Sequence, residues 1–112
     1  MKLRNFEDHL SERLREPEYA MAYVEAALEE GGIEDFLYAV REVAMAQDGG
    51  MQRVAAQSKR GRESLYKSLS KQGNPRIRTL DSILHSIGMR IAVTRDESTA
   101  ANEMREGLVL AL

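Results

Sequence analysis

Residues 54–75 read VAAQSKRGRESLYKSLSKQGNP, and this stretch decides the fold. Val54 and Ala55 follow Met51 at helical spacing, which predicts a short helix over 51–57. Leu65 and Leu69 stand four apart and predict a second over 62–70, with only those two positions facing inward. Between the helices runs Ser58-Lys59-Arg60-Gly61, and Gly73-Asn74-Pro75 is a strong turn after the second. Two short helices joined by a tight turn describe a helix-turn-helix over 51–70, with small Ala55 where the pair packs closely. The outward stripe of the second helix is Arg62, Glu63, Tyr66 and Lys67, with Ser64 beside its first turn. Groove-entering helices read bases from their N-terminal residues, and arginine to guanine is the commonest specific pairing. Ser58, Lys59 and Arg60 in the turn, with Arg76 and Arg78 beyond it, are placed for phosphates, which position without specifying.

Downstream, Leu80, Ile83, Leu84 and Ile87 form an i, i+3, i+4, i+7 set that predicts a helix over 79–87, capped by Thr79 and closed by Gly88. Residues 89–94, MRIAVT, change to period two and predict one short strand. A lone strand needs a partner, and the chain offers no second candidate. That predicts a two-fold homodimer through the strand or the last helix. Residues 95–112 form a polar tail ending in Leu108, Val109, Leu110 and Leu112, either a weak helix or disordered.

Upstream the helical period continues. Residues 17–30 align Ala20, Tyr23, Val24, Ala27 and Leu28 behind Pro17, and Gly31-Gly32 stops them. Residues 33–47 align Ile33, Phe36, Leu37, Val40 and Ala44, and Gly49-Gly50 ends the segment. Phe6, Leu10 and Leu14 predict a further short helix over 5–14 with Asn5 as its cap. The expectation is an all-α chain of five to six short helices plus a short C-terminal strand, with residues 1–94 as a single helical domain.

Charge divides along the same lines. The 112 residues carry a net charge of −2, which by itself argues against a nucleic-acid binder. Residues 1–50 hold five basic and twelve acidic groups, net −7. Residues 51–78 hold eight basic groups against Glu63, net +7, and residues 79–112 are net −2. A +7 block that coincides with the helix-turn-helix is the electrostatic footprint of a phosphate-binding face. A solvated basic surface is the plainer reading of such a block, but here its charges lie opposite the apolar positions 54, 55, 65 and 69.

Other chemistry finds little support. With no cysteine there is no disulfide, thiolate metal site or cysteine nucleophile. The N-terminus has acids within its first eight residues and no continuous apolar core, and no apolar run is long enough to span a bilayer, so a cytoplasmic setting is expected. His9 and His85 are the only imidazoles; His85 lies four residues after Asp81 and reads as a surface pair or a helix-end interaction, not a ligand. Glu63 and Lys67 are spaced either for an ion pair or for joint contact with DNA. Tyr19, Tyr23 and Tyr38 read as packing residues, and the six methionines as core filler. The double glycines follow no strand and read as helix stops. No residues assemble a nucleophile, a paired-carboxylate site, a metal site or a cofactor site, so catalysis is not expected.

The segment quoted at the outset, followed by TLDSILHSIGMRI at 79–91, resembles the phage-repressor-type (Xre-like) helix-turn-helix of the addiction-module antidote proteins. Their core motif is similar to V-A-x-x-A-G-L-S-R-E-S-L-Y-K-x-L-S-x-x-G-N-P-x-x-x-T-L. Pro17-Glu18, Tyr23, Ala27 through Gly31, and Val43-Ala44 also resemble the family, so the likeness covers roughly residues 5–94. It implies a helical DNA-binding antitoxin, encoded beside a small toxin of the ribonuclease or gyrase-poison superfamily. Such a protein binds and neutralises the toxin and represses the shared operon. Carried over by position, Arg62, Glu63, Ser64, Tyr66 and Lys67 match the family's recognition helix. Lys59 stands where the family usually has the turn glycine, Arg60 where it has an apolar residue, and Gly61 where it has the N-cap serine.

From the residues, two readings stand beside this one. The acidic N-terminal half suits a module that grips a small basic toxin, with DNA binding secondary. A solitary regulator without a toxin partner would carry the same helix-turn-helix.

Overall fold

The computed structural model describes residues 9–96. Within them the chain is all helical. A short helix α1 covers 9–13, followed by α2 (Pro17–Ala46), α3 (Gly50–Ser58), α4 (Arg62–Ser68) and α5 (Ile77–Ser86).

The long α2 is broken at Gly32, whose φ of 74° and ψ of −162° fall outside the helical region. Only glycine enters that region without strain. The break reverses the chain. Tyr23 Oη donates to Glu42 Oε1 at 2.8 Å, although in a straight helix the two residues would stand about 28 Å apart. The two expected helices, 17–30 and 33–47, therefore form the limbs of one helical hairpin. Ala20 and Val24 of the first limb are buried with Leu37, Val40, Val43 and Ala44 of the second. Tyr23, Ala27 and Phe36 are partly buried, and two positions of the expected stripes are exposed, Ile33 at 64% and Leu28 at 41%. Ile33 follows the reversal directly, where periodicity continues but no opposing element does.

Leu14 is sealed beneath the hairpin, and Gln47 Nε2 donates to the carbonyls of Leu14 and Val43, both at 3.0 Å. Leu10 is partly buried against the same core, whereas Asn5 and Phe6 lie outside the described residues. Of the methionines, Met51 is buried and Met89 half-buried, but Met21 and Met45 are exposed, so the core-filler reading fails for those two.

Helix α3 is the hub and packs on α2, α4 and α5. It buries Met51, Val54, Ala55 and Ser58, an i, i+3, i+4, i+7 stripe. Leu65 and Leu69 of the α4 region are fully buried in the same core, as is Ile83 of α5, with Leu84 buried beside it. Gly73 closes the turn after α4 at such short range that a Cβ there would meet the Ser68 carbonyl oxygen at 2.1 Å. That contact is the physical reason the turn needs glycine.

Two expectations about the last helix are corrected. Thr79 is not its cap: α5 begins at Ile77 behind Arg76, with no side-chain cap bond, and Leu80 N–H already reaches the Arg76 carbonyl at 2.9 Å. The strand over 89–94 is not formed, and there is no strand among the described residues. Gly88, in the left-handed region at φ 79°, ends α5 in a Schellman motif. Its N–H reaches the His85 carbonyl at 3.1 Å, and the Met89 N–H reaches Leu84 at 2.8 Å. The Met89 amide is thus spent on closing the helix and not on a ladder. Ile91 and Val93 beyond it are exposed, Val93 at 95%. Apart from Arg95 and Asp96, the expected tail lies outside the described residues.

Candidate nucleic-acid interface

Three residues, 59–61, join α3 to α4. The turn is made by Lys59, the single non-glycine residue at positive φ among those described, with φ 57° and ψ 41°. Its N–H reaches the Ala56 carbonyl at 3.4 Å and the Arg60 N–H reaches Ala55 at 3.0 Å, so α3 ends in the same reversal that glycine makes after α5. Gly61 then precedes α4 in extended backbone, with no side chain to cap it.

This turn separates the expected site residues. Ser58 is 7% exposed, and its hydroxyl donates to the Val54 carbonyl at 2.6 Å. It is turned into the helix it ends, away from the surface where a phosphate contact was expected. Lys59 and Arg60 are exposed, as are Arg62, Glu63, Ser64 and Lys67 on α4. Gly61, Arg62, Glu63 and Tyr66 line one open concavity of about 530 Å3. Arg76 and Arg78 do not line it; they stand exposed at the start of α5.

The cations of this region divide into engaged and free. Lys71 pairs with Asp35 at 3.6 Å, and Arg53 donates to the Asp48 carbonyl at 3.2 Å. Lys59, Arg60, Arg62, Lys67, Arg76 and Arg78 form no ion pair among the described residues. Glu63 and Lys67 do not pair with each other, so both side chains remain available. Six exposed cations without internal partners can neutralise phosphates, each releasing counterions. Arg62, in the first turn of α4, carries a planar fork of donors suited to the paired acceptors of guanine.

One residue of this surface escapes sequence reasoning. Arg41, from the acidic half of the chain, holds its guanidinium 4.9 Å from the Tyr66 ring centre and 5.6 Å from that of Tyr38. It fixes Tyr66 of α4, which is half-buried against the core. No local spacing signals a contact across 25 positions of chain. His85 Nε2 lies 3.3 Å from Asp81 Oδ1, the surface pair its spacing predicts. Tyr19 and Tyr23 stack at 6.4 Å, with Arg13 4.2 Å above Tyr19. Tyr38, expected to pack, is 41% exposed. Burial first, then the hydrogen bond to Glu42 and its negative charge, push the Tyr23 phenol above its ordinary pKa.

Among the described residues no group of His, Asp or Glu is arranged to hold a metal ion, and no helix is long and apolar enough to cross a membrane.

Comparison with known proteins gives two matches. Residues 2–95 match the family described as "Probable addiction module antidote protein". An uncharacterized protein of Haemophilus influenzae is 30% identical over 92 residues, covering 82% of this chain and 91% of that protein. No solved structure matches significantly.

Proposed function

This chain belongs to the probable addiction module antidote protein family, and we propose that it is the antitoxin of a type II toxin–antitoxin module. It binds its own operator through a helix-turn-helix formed by α3 and α4, represses the operon, and neutralises a cognate small basic toxin by direct binding. The observation that carries the DNA reading is the exposed, unpaired set of Lys59, Arg60, Arg62 and Lys67 around α4, while Leu65 and Leu69 of the same segment are sealed in the core. Arg62 and its neighbours Glu63, Ser64, Tyr66 and Lys67 face the bases; Lys59, Arg60, Arg76 and Arg78 hold phosphates. Two copies on a palindromic operator set two recognition helices about one DNA turn apart. Family membership supports the toxin partner, and the net charge of −7 over residues 1–50 supports a basic one.

The test is a gel shift on the promoter of the chain's own operon against random DNA of equal length. Arg62→Ala is expected to lose discrimination between the two. Lys71→Ala leaves discrimination intact, because Lys71 is held by Asp35. Equal loss on both DNAs for Arg62→Ala refutes base reading by that residue. Co-purification with the product of the neighbouring reading frame tests the toxin arm. A chain that binds the promoter but has no such partner is a solitary regulator.

A further inference from the structure

Half of the large apolar side chains that the described residues leave exposed gather in one place. Met21 and Leu28, each 41% exposed, lie on the first limb of α2; Ile77, 68% exposed, opens α5; Ile91 follows that helix. Together they line a groove of about 500 Å3, whose charged lining is Glu25 and Glu29 on the α2 side and Arg90 beyond α5. The two glutamates belong to residues 16–40, which carry six glutamates and Asp35 but no lysine or arginine. Asp35 is neutralised by Lys71; none of the six glutamates forms an ion pair among the described residues.

We propose that this groove is the docking site of the toxin, which enters through a basic segment carrying apolar side chains on one face. The inference rests on the antitoxin reading above and gives that reading a surface. A clustered apolar patch at a surface marks an interaction site, and a rim with an excess of acid favours a basic partner. Two other occupants carry the wrong charge. A second copy docked groove to groove about a two-fold axis brings Glu25, Glu29 and Arg90 of both chains into one seam, with acid in excess. The chain's own residues 95–112 hold two basic and four acidic groups around the apolar run Leu108-Val109-Leu110. Folding that run into the groove brings net negative charge to a lining in which acid already outnumbers base. A basic partner gains from both the apolar wall and the rim.

The experiment is calorimetric binding of the full-length chain to the product of the neighbouring reading frame, at several salt concentrations. It compares the natural chain with Glu25→Gln/Glu29→Gln and with Leu28→Ser/Ile77→Ser. A gel shift on the operon's promoter reports whether each variant is folded. All four positions are exposed, and the charge pair keeps the test decisive if the apolar pair fails to fold. Each double variant is expected to bind the toxin at least tenfold more weakly with its gel shift unchanged, and the charge pair to flatten the salt dependence. Unchanged toxin binding in both overturns the groove while leaving the antitoxin reading intact. Failure of the natural chain to bind refutes that reading and takes this inference with it. A change of oligomeric state in Leu28→Ser/Ile77→Ser assigns the groove to a second copy. Binding of an apolar dye that appears only after removal of residues 97–112 assigns it to the chain's own end. Either of these results overturns the proposal.

Discussion

Replacing Lys59 by glycine should stabilise the protein and, if the proposed DNA interface holds, weaken DNA binding, a separation of effects that follows from the turn geometry. Lys59 sits at φ 57°, ψ 41°, where a Cβ crowds the following carbonyl. For a residue other than glycine this costs about 1–2 kcal/mol. Glycine relieves the crowding but enlarges the freedom of the unfolded chain, returning about 0.4–1 kcal/mol. The positive charge at the C-terminal end of α3 contributes at most a few tenths of a kcal/mol at an exposed position. The net expectation for Lys59→Gly is a gain of about 0.5–1 kcal/mol, or a rise in Tm of about 3–6 °C for a domain of this size. Lys59→Ala is the control, since it removes the same charge but keeps the Cβ, and should not be stabilised. Urea unfolding of the three chains measures the difference. On DNA the glycine and alanine variants should behave alike, each lowering the slope of log affinity against log salt by about 0.9 if one phosphate contact is lost. Glycine and alanine variants of equal stability would refute the strain argument. A glycine variant with undiminished operator affinity would remove Lys59 from the interface.

Three further outcomes follow from the same structure. Gly61→Ser should stabilise by about 0.5–1 kcal/mol in urea unfolding, from a new cap and a less free unfolded chain, because a Cβ at Gly61 meets nothing within 4 Å. Gly32→Ala should cost about 1–3 kcal/mol although its Cβ also meets nothing, because only glycine tolerates that backbone; an unchanged melting temperature would contradict this. Tyr23 keeps its proton in the fold at pH values where an unfolded tyrosine ionises. Its contribution is therefore complete below about pH 10 and declines as pH rises beyond the unfolded pKa toward the folded one. Unfolding measured across the alkaline range should lose part of that decline in Tyr23→Phe.

Much of this protein is legible in linear order, because the signals are local. The spacing of Met51, Val54 and Ala55, of Leu65 and Leu69, and of Leu80, Ile83, Leu84 and Ile87 marks α3, α4 and α5 within two or three residues of their ends. The double glycine at 31–32 marks the reversal of α2, and the charge count separates an acidic half from a basic segment. Errors arise where a side chain has two local options and packing selects one. Ser58 could face solvent, but the αL turn at Lys59 leaves it over the end of α3, where its hydroxyl bonds backward. Thr79 could cap a helix, but the first turn is already closed from Arg76. The alternation over 89–94 has the period of a strand, yet its first amide is consumed by the end of α5.

The amino-acid sequence by itself determined which segments become helices, where they stop, and that the cations concentrate between residues 53 and 78. Periodicity, turn chemistry and charge are properties of neighbours along the chain. Only the tertiary structure decided which cations are free, since Lys71 is claimed by a carboxylate 36 positions away and Arg62 by none. Only it set Arg41 beside Tyr66 and drew Met21, Leu28, Ile77 and Ile91 into one groove. Those meetings depend on the angles at which helices leave Gly32 and Lys59, and a backbone angle at one residue acts on partners far away in the chain.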